Sequence, residues 1–294
     1  MTTTKKKKKF ITLSDVLLLA GVIAVKVSFI DWYFIPSGSM QPTLEISDRV
    51  VVDKDAYSLR VPFTETIIKQ NAPIERGDIV IFEDAATKNT FIKRVIGLEG
   101  DTIEMNFHKV LVNGDEINST QVLTSDSTTT YQESIGNKDY FVSYSKKIDS
   151  GIISALNNKK EVLANPNSDE AKFIAKHFQQ RAGKWIVPEG SIFVMGDNRD
   201  NSIDSRFAQV EYVKKDAVKG RASFVLANMK PLVIGETKLN IIPVSFTNFN
   251  KDIYSTDDIV LPSTVEIKEG NLPKLTSIDV GGNELKKIVT TDND

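Results

Sequence analysis

Cysteine is absent from this 294-residue chain. Its absence removes disulfides, thiolate zinc sites and cysteine nucleophiles together, and leaves the redox compartment open. Histidine is nearly absent as well: the chain has only two, His108 and His177, too few for chemistry that needs clustered imidazoles. Positive charge is not in excess either. The formal net charge is −2, and five positive charges stand together at Lys5 to Lys9, so the remainder is more acidic still, at about −7. That balance excludes nucleic acid as the main partner. Long repeats and low-complexity tracts are also lacking.

One long apolar stretch is present, "FITLSDVLLLAGVIAVKVSFI" at residues 10–30, and as a helix it would span roughly 30 Å, the apolar thickness of a bilayer. Asp15 and Lys26 interrupt it toward its ends, where a lysine can snorkel to water. A cleavable leader would begin the same way, but no small-residue cleavage site follows. Trp32, Tyr33 and Phe34 follow instead, and aromatics suit the membrane interface. The expectation is a basic cytoplasmic segment over 1–9, a transmembrane anchor over 10–30, and everything beyond residue 31 outside the cell membrane.

Hydrophobic residues make up 40% of the chain, enough for a sizeable core in one large domain or two ordinary ones. Beyond residue 45 the pattern is mainly β. Runs such as "RVVVDKDAY", "GDIVIFED", "NTFIKRVIGL" and "GSIFVMGDN" are short, apolar and bounded by Gly, Asp and Asn, which predicts a mainly β barrel or sandwich. One helix is expected, over 168–183, with Ala171, Ile174, Ala175 and Phe178 on one face and Gly183 at its end. It lies in a Ser- and Asn-rich segment, about 104–188, that has the character of a mixed insertion within a domain spanning 31–228. Residues 229–294 form a β-rich extension of unknown role.

The stretch "FIPSGSMQPTL" sets Ser37 and Ser39 on a loop between Pro36 and Pro42, close after the apolar segment. A serine becomes a useful nucleophile when a base takes its proton. His108 and His177 have no sequence neighbours that mark a triad histidine and read as structural or exposed. A lysine can serve if burial brings its pKa down by about 3 units. In "TFIKRVIG" strand alternation puts Phe91, Lys93 and Val95 on one face, although a lone strand lysine is more often a solvent-facing edge residue. "MGDNRDNSIDSRF", residues 195–207, adds a third small hydroxyl, Ser202, in a charged loop. A calcium loop does not fit there, because Arg199 falls at a ligand position and the central glycine is missing. No metal site is expected.

Four segments, "IPSGSMQPTL" (35–44), "RGDIVIF" (76–82), "IKRVIGLEGD" (92–101) and "GDNRDNSIDSR" (196–206), stand in the order in which the chain resembles the bacterial type I signal peptidases, membrane-bound Ser-Lys endopeptidases. The resemblance implies Ser39 as nucleophile, Lys93 as general base, and the Ser37 hydroxyl with the Ser39 N–H as oxyanion donors. It implies that Ser202 hydrogen-bonds the Lys93 amine, that Asp197, Asp204, Arg206 and Arg94 form a supporting salt-bridge frame, and that Ile35, Met40, Leu44, Phe91 and Ile92 bind substrate. The implied partners are secretory preproteins with Ala-X-Ala sites, the lipid bilayer and a secretion translocon; no cofactor is implied. Glu99 and "RFAQV" after the last motif depart from the family pattern. Two rival readings are a self-cleaving repressor of the related Ser-Lys fold, which an apolar anchor fits poorly, and a catalytically idle relative that assembles surface structures such as pili.

Overall fold

The computed structural model describes residues 29–229 apart from short gaps at 62–63, 65, 85–86 and 179–180. It also describes 12, 14–18 and 21 near the N-terminus and 232–234, 237–239, 246–247 and 250–256 beyond. The expected anchor over 10–30 lies for the most part outside the described residues. Among those that are described, no helix is long and apolar enough to cross a membrane.

The chain is mainly β, as expected. Its largest sheet runs in the order Ile30–Phe34, Asp48–Asp53, Val218–Met229, Ile79–Glu83, Thr90–Gly97, Ser191–Met195 and Val213–Lys214, with neighbouring strands antiparallel. The path has two ends and does not close, so the barrel alternative is corrected to an open, bent sheet. Register shifts after Ala222 and Val225 supply the bends, since an unpaired residue coils a strand locally. The central strand Ile79–Glu83, "IVIFE", is buried at its first four positions. A continuous apolar run of this kind needs cover on both faces, and two core clusters provide it: one containing Ile79 and Ile81 with Ile35, Met40 and Leu44, the other containing Val80 and Phe82 with Val95 and Val194.

Residues 102–145 form smaller sheets. Ala182–Ile186 pairs with Thr102–Asn106, and a meander joins Asn118–Thr124, Thr128–Ile135 and Lys138–Ser145. The helix expected over 168–183 is shorter, Asp169–Phe178. Gly183 sits instead in a strand, opposite Met105, where its missing Cβ makes room for the Trp185 ring. Two further helices, Lys146–Asn157 and Lys159–Ala164, precede it.

Part of the expected extension joins the main sheet. Phe246–Thr247 and Lys251–Asp252 both pair with Val218–Met229. Ile253 enters the core beside Val225, and the Tyr254 hydroxyl donates to the Ala222 carbonyl while accepting from the Ile79 N–H.

Candidate active site

Ser39 lies on the loop between the strands Ile30–Phe34 and Asp48–Asp53. Two backbone bonds close the neck of that loop, Ile35 N–H to the Asp48 carbonyl and Ser47 N–H to the Ile35 carbonyl, each 2.9 Å. Beneath it, Ile35, Met40 and Leu44 pack into the core with Val50, Val52 and Ile79. Apolar residues at 35, 40 and 44 thus pin the loop from below and leave the serines on its upper side. Ser37 is exposed, whereas Ser39 is 8% exposed.

Lys93 stands on the strand Thr90–Gly97, opposite Val80. Its side chain is 3% exposed. The amine lies 2.9 Å from Ser39 Oγ, 54 residues away in sequence, and donates to the Ile92 carbonyl at 2.8 Å. The Phe91 ring centre is 5.6 Å from it. Burial is the main influence on this amine and brings its pKa down from 10.5 to about 8, against the pull of Asp204 and Asp197 and with the help of Arg206. Desolvation disfavours the ammonium, which is what a lysine base requires.

The loop 196–206 forms the facing wall. Asp197 and Arg94 make a two-pronged ion pair, 2.9 and 2.7 Å, with both side chains 1% exposed. Asp204 and Arg206 make a second, 2.8 Å on each prong. Burial alone would raise the Asp204 carboxyl, but the Arg206 guanidinium and the Gly196 N–H hold it below the usual range. The four residues expected to form a frame are therefore two separate buried pairs. Thr43, which the sequence did not single out, links the first pair to the serine loop by donating to Asp197 at 2.5 Å.

Asn198 was missed as well. Its Nδ2 donates to the Gly38 carbonyl at 3.0 Å and its N–H to the Ser39 carbonyl at 3.1 Å. Gly196 lets this loop come close: a Cβ there would lie 2.2 Å from Ser202 Oγ and 2.6 Å from the Ser39 carbonyl oxygen. The glycine of "GDN" was the one available signal for that contact.

One expectation is corrected. The Ser202–Lys93 hydrogen bond is not formed: the amine is engaged by Ser39 and the Ile92 carbonyl, while the buried Ser202 hydroxyl lies toward Asp204 and helps hold that carboxyl low. Of the five residues expected to bind substrate, Met40 and Leu44 are 0% exposed and Ile35 is 2% exposed. These three pack in the core under the loop, whereas Phe91 and Ile92 are both half-buried.

His108 does have an acidic partner, contrary to the sequence reading. Its ring nitrogens contact the Tyr131 hydroxyl at 3.1 Å and Asp149 at 3.0 Å, all within the insertion, and burial lowers its pKa while Asp149 opposes that shift. Among the described residues, no group of three or more His, Asp or Glu could hold a metal ion. A cavity of about 670 Å³, lined by Tyr57, Ile67, Arg76, Leu98, Asp101 and Lys215 among others, includes neither Ser39 nor Lys93.

Residues 8–227 match the family described as signal peptidase, peptidase S26. A signal peptidase I of Buchnera aphidicola from Schizaphis graminum is 33% identical over 74% of this chain and 75% of its own length. That of Pseudomonas aeruginosa is 32% identical over 66% of this chain and 61% of its own, so the match leaves well over a third of the latter unaccounted for. A solved signal peptidase I from Enterococcus faecalis aligns with 52% of this chain and 98% of its own at 23% identity, with a TM-score of 0.29, a likeness too slight to bear on the fold.

Proposed function

This chain belongs to the signal peptidase family, peptidase S26, and from that premise we propose that it removes signal peptides from secretory preproteins at the outer face of the cytoplasmic membrane, with Ser39 as nucleophile and Lys93 as general base. The observation that supports this reading most is the 2.9 Å approach of a solvent-free lysine amine to a serine hydroxyl.

The neutral amine takes the Ser39 proton as Oγ attacks the carbonyl carbon on the N-terminal side of the scissile bond. Charge developing on the carbonyl oxygen meets the Ser39 N–H and the exposed Ser37 hydroxyl. The ammonium of Lys93 then protonates the leaving nitrogen, the C–N bond breaks, and the mature protein departs. The signal peptide remains as an ester on Oγ. Lys93 next takes a proton from a water whose oxygen attacks the ester, and returns that proton to Oγ as the signal peptide leaves. Arg94–Asp197 and Arg206–Asp204 hold the geometry and transfer no proton.

A preprotein would lie extended beside Phe91 and Ile92, where small residues before the cut, as in Ala-X-Ala, suit a shallow apolar surface. The bilayer and a translocon are its proposed neighbours, in keeping with the exposed Leu17, Leu18 and Trp32 on the N-terminal side. No observation favours the idle-assembly alternative, since Ser39 and Lys93 are both present and in contact. The test uses the full chain in detergent and a preprotein with an Ala-X-Ala site. The parent should cut at that site, while Ser39→Ala and Lys93→Met should be slowed by about 10³-fold or more. Full activity in Lys93→Met would exclude lysine as the base.

A further inference from the structure

The insertion has no part in the chemistry above, yet its strand Lys138–Ser145 runs beside the loop 196–206. Ser143 N–H donates to the Asp197 carbonyl at 2.9 Å, Arg199 N–H donates to the Ser143 carbonyl at 3.0 Å, and Ser143 and Asn198 form a parallel bridge. Ser143 Oγ also reaches the Gln41 carbonyl of the serine loop at 3.4 Å. Next to this seam lies a buried ion pair between the insertion and the loop. Glu133 and Arg199 are each 1% exposed and meet on two prongs, Nη1 to Oε1 at 2.8 Å and Nη2 to Oε2. Tyr140 donates to Glu133 at 2.9 Å, and Arg199 Nη1 also donates to the Tyr144 hydroxyl at 2.8 Å. The Arg199 carbonyl in turn accepts from Arg206 at 2.6 Å.

We propose that the insertion is a positioning element for the serine, with Glu133 a positioning residue that acts through Arg199 on Asn198 and so on the carbonyls of Gly38 and Ser39. The inference rests on the peptidase reading. Arg199 directly follows Asn198, the residue that grips both of those carbonyls. Two fully buried charges are costly to assemble unless each is paired and hydrogen-bonded. Here both carboxylate oxygens of Glu133 and both Nη atoms of Arg199 are bonded, with Arg199 Nε alone left over, and the pairing fixes where the Arg199 side chain sits. Bonds within the loop, from Arg206 to the Arg199 carbonyl and from the Asn201 N–H to the Asn198 carbonyl, act on the same stretch, and the pair with Glu133, 66 residues away in sequence, ties the Arg199 side chain to the insertion. A shift of about 1 Å in the nucleophile can cost on the order of 100-fold in rate, so a brace at the residue next to the serine contact can govern turnover.

The test compares Glu133→Gln with the parent on the preprotein. It adds a paired Glu133→Met, Arg199→Met variant, which removes both charges and remains informative if the single variant does not fold. Hydrogen exchange at the Asn198 amide is followed in the same samples. In whichever variant folds, kcat should fall about tenfold or more with KM within about twofold of the parent, and Asn198 should exchange at least about tenfold faster. A folded variant with kcat within about twofold of the parent and unaltered Asn198 exchange overturns the proposal. If the parent itself does not cut, the peptidase reading fails first; if the parent cuts and the folded variant is unaffected, only the role of the insertion is lost.

Discussion

On one side of Ser39, the strand Thr90–Gly97 surrounds Lys93 with apolar groups and a single carbonyl; on the other, the loop 196–206 carries Asp197, Arg199, Asp200, Asp204 and Arg206. Each charge of the loop is matched: Asp197 by Arg94, Arg199 by Glu133, Asp200 by Arg181, and Asp204 by Arg206. The amine's hydrogen bonds go to the Ser39 hydroxyl and the Ile92 carbonyl, not to a carboxylate. A lysine that is to work as a base must remain without a counter-ion, because a nearby carboxylate would restore its proton. The charged wall can stand so close only because its charges are cancelled in pairs. Asp204 and Asp197 still pull the Lys93 pKa upward and Arg206 pushes it down, and burial prevails, leaving about 8.

The contact between the charged wall and the serine loop is the first thing to break. Gly196→Ala would drive a methyl into Ser202 and the Ser39 carbonyl, at 2.2 and 2.6 Å. Backbone on one side of that clash cannot rotate away, so kcat should fall by about 10³-fold or more, measurable on the same preprotein with folding checked by circular dichroism.

Removing one partner of a pair tests the cancellation. Arg206→Met leaves Asp204 buried and charged, and should lower stability by about 3–5 kcal/mol. It also removes a positive neighbour and frees a negative one, so the Lys93 pKa should rise above about 8 and the alkaline rise in rate should move to higher pH. A profile that stays in place would show that the pair does not influence the amine.

Lys93 itself gives the smallest of these effects and the clearest sign. Its pKa is about 8 in the folded protein and 10.5 as its ordinary value. Between those limits the unfolded chain binds more protons, so stability should rise with pH across that window, by up to about 3 kcal/mol. Below about pH 8 the folded state bears the full cost of desolvating the ammonium. Lys93→Met should therefore be inactive and yet more stable than the parent by about 3 kcal/mol at pH 7, with no such slope. Parallel urea melts at pH 7 and pH 10 would show this, and activity of the parent should climb toward a plateau above about pH 8.

Much of this site was legible because its parts carry local signals. Prolines and a glycine around two serines mark a rigid loop, and alternation alone placed Lys93 on the face of Phe91 and Val95. What escaped was held at long range. Glu133 reads as an ordinary polar residue in "TTTYQESI", and only the burial of Arg199 against it gives it a role. Met40 and Leu44 look the same in sequence whether they line a pocket or fill a core, and only the folded chain shows them packed in the core under the loop. Gly183 read as a helix terminator because glycine commonly ends helices, but Trp185 needed the space for its ring. The helix Lys146–Asn157 carries Gly151 in its interior and no basic residue in its last turn, so its sequence pattern was weak. Its formation depends on packing, as with Phe173 lying over Gly151.

The peptide link between Gly38 and Ser39 is flat, and its oxygen and hydrogen point in opposite directions. Tethering that oxygen to the Asn198 amide therefore also aims the hydrogen, much as pinning one end of a seesaw sets the height of the other. The aim is established while the chain folds, so an arriving polypeptide need contribute nothing to turning it.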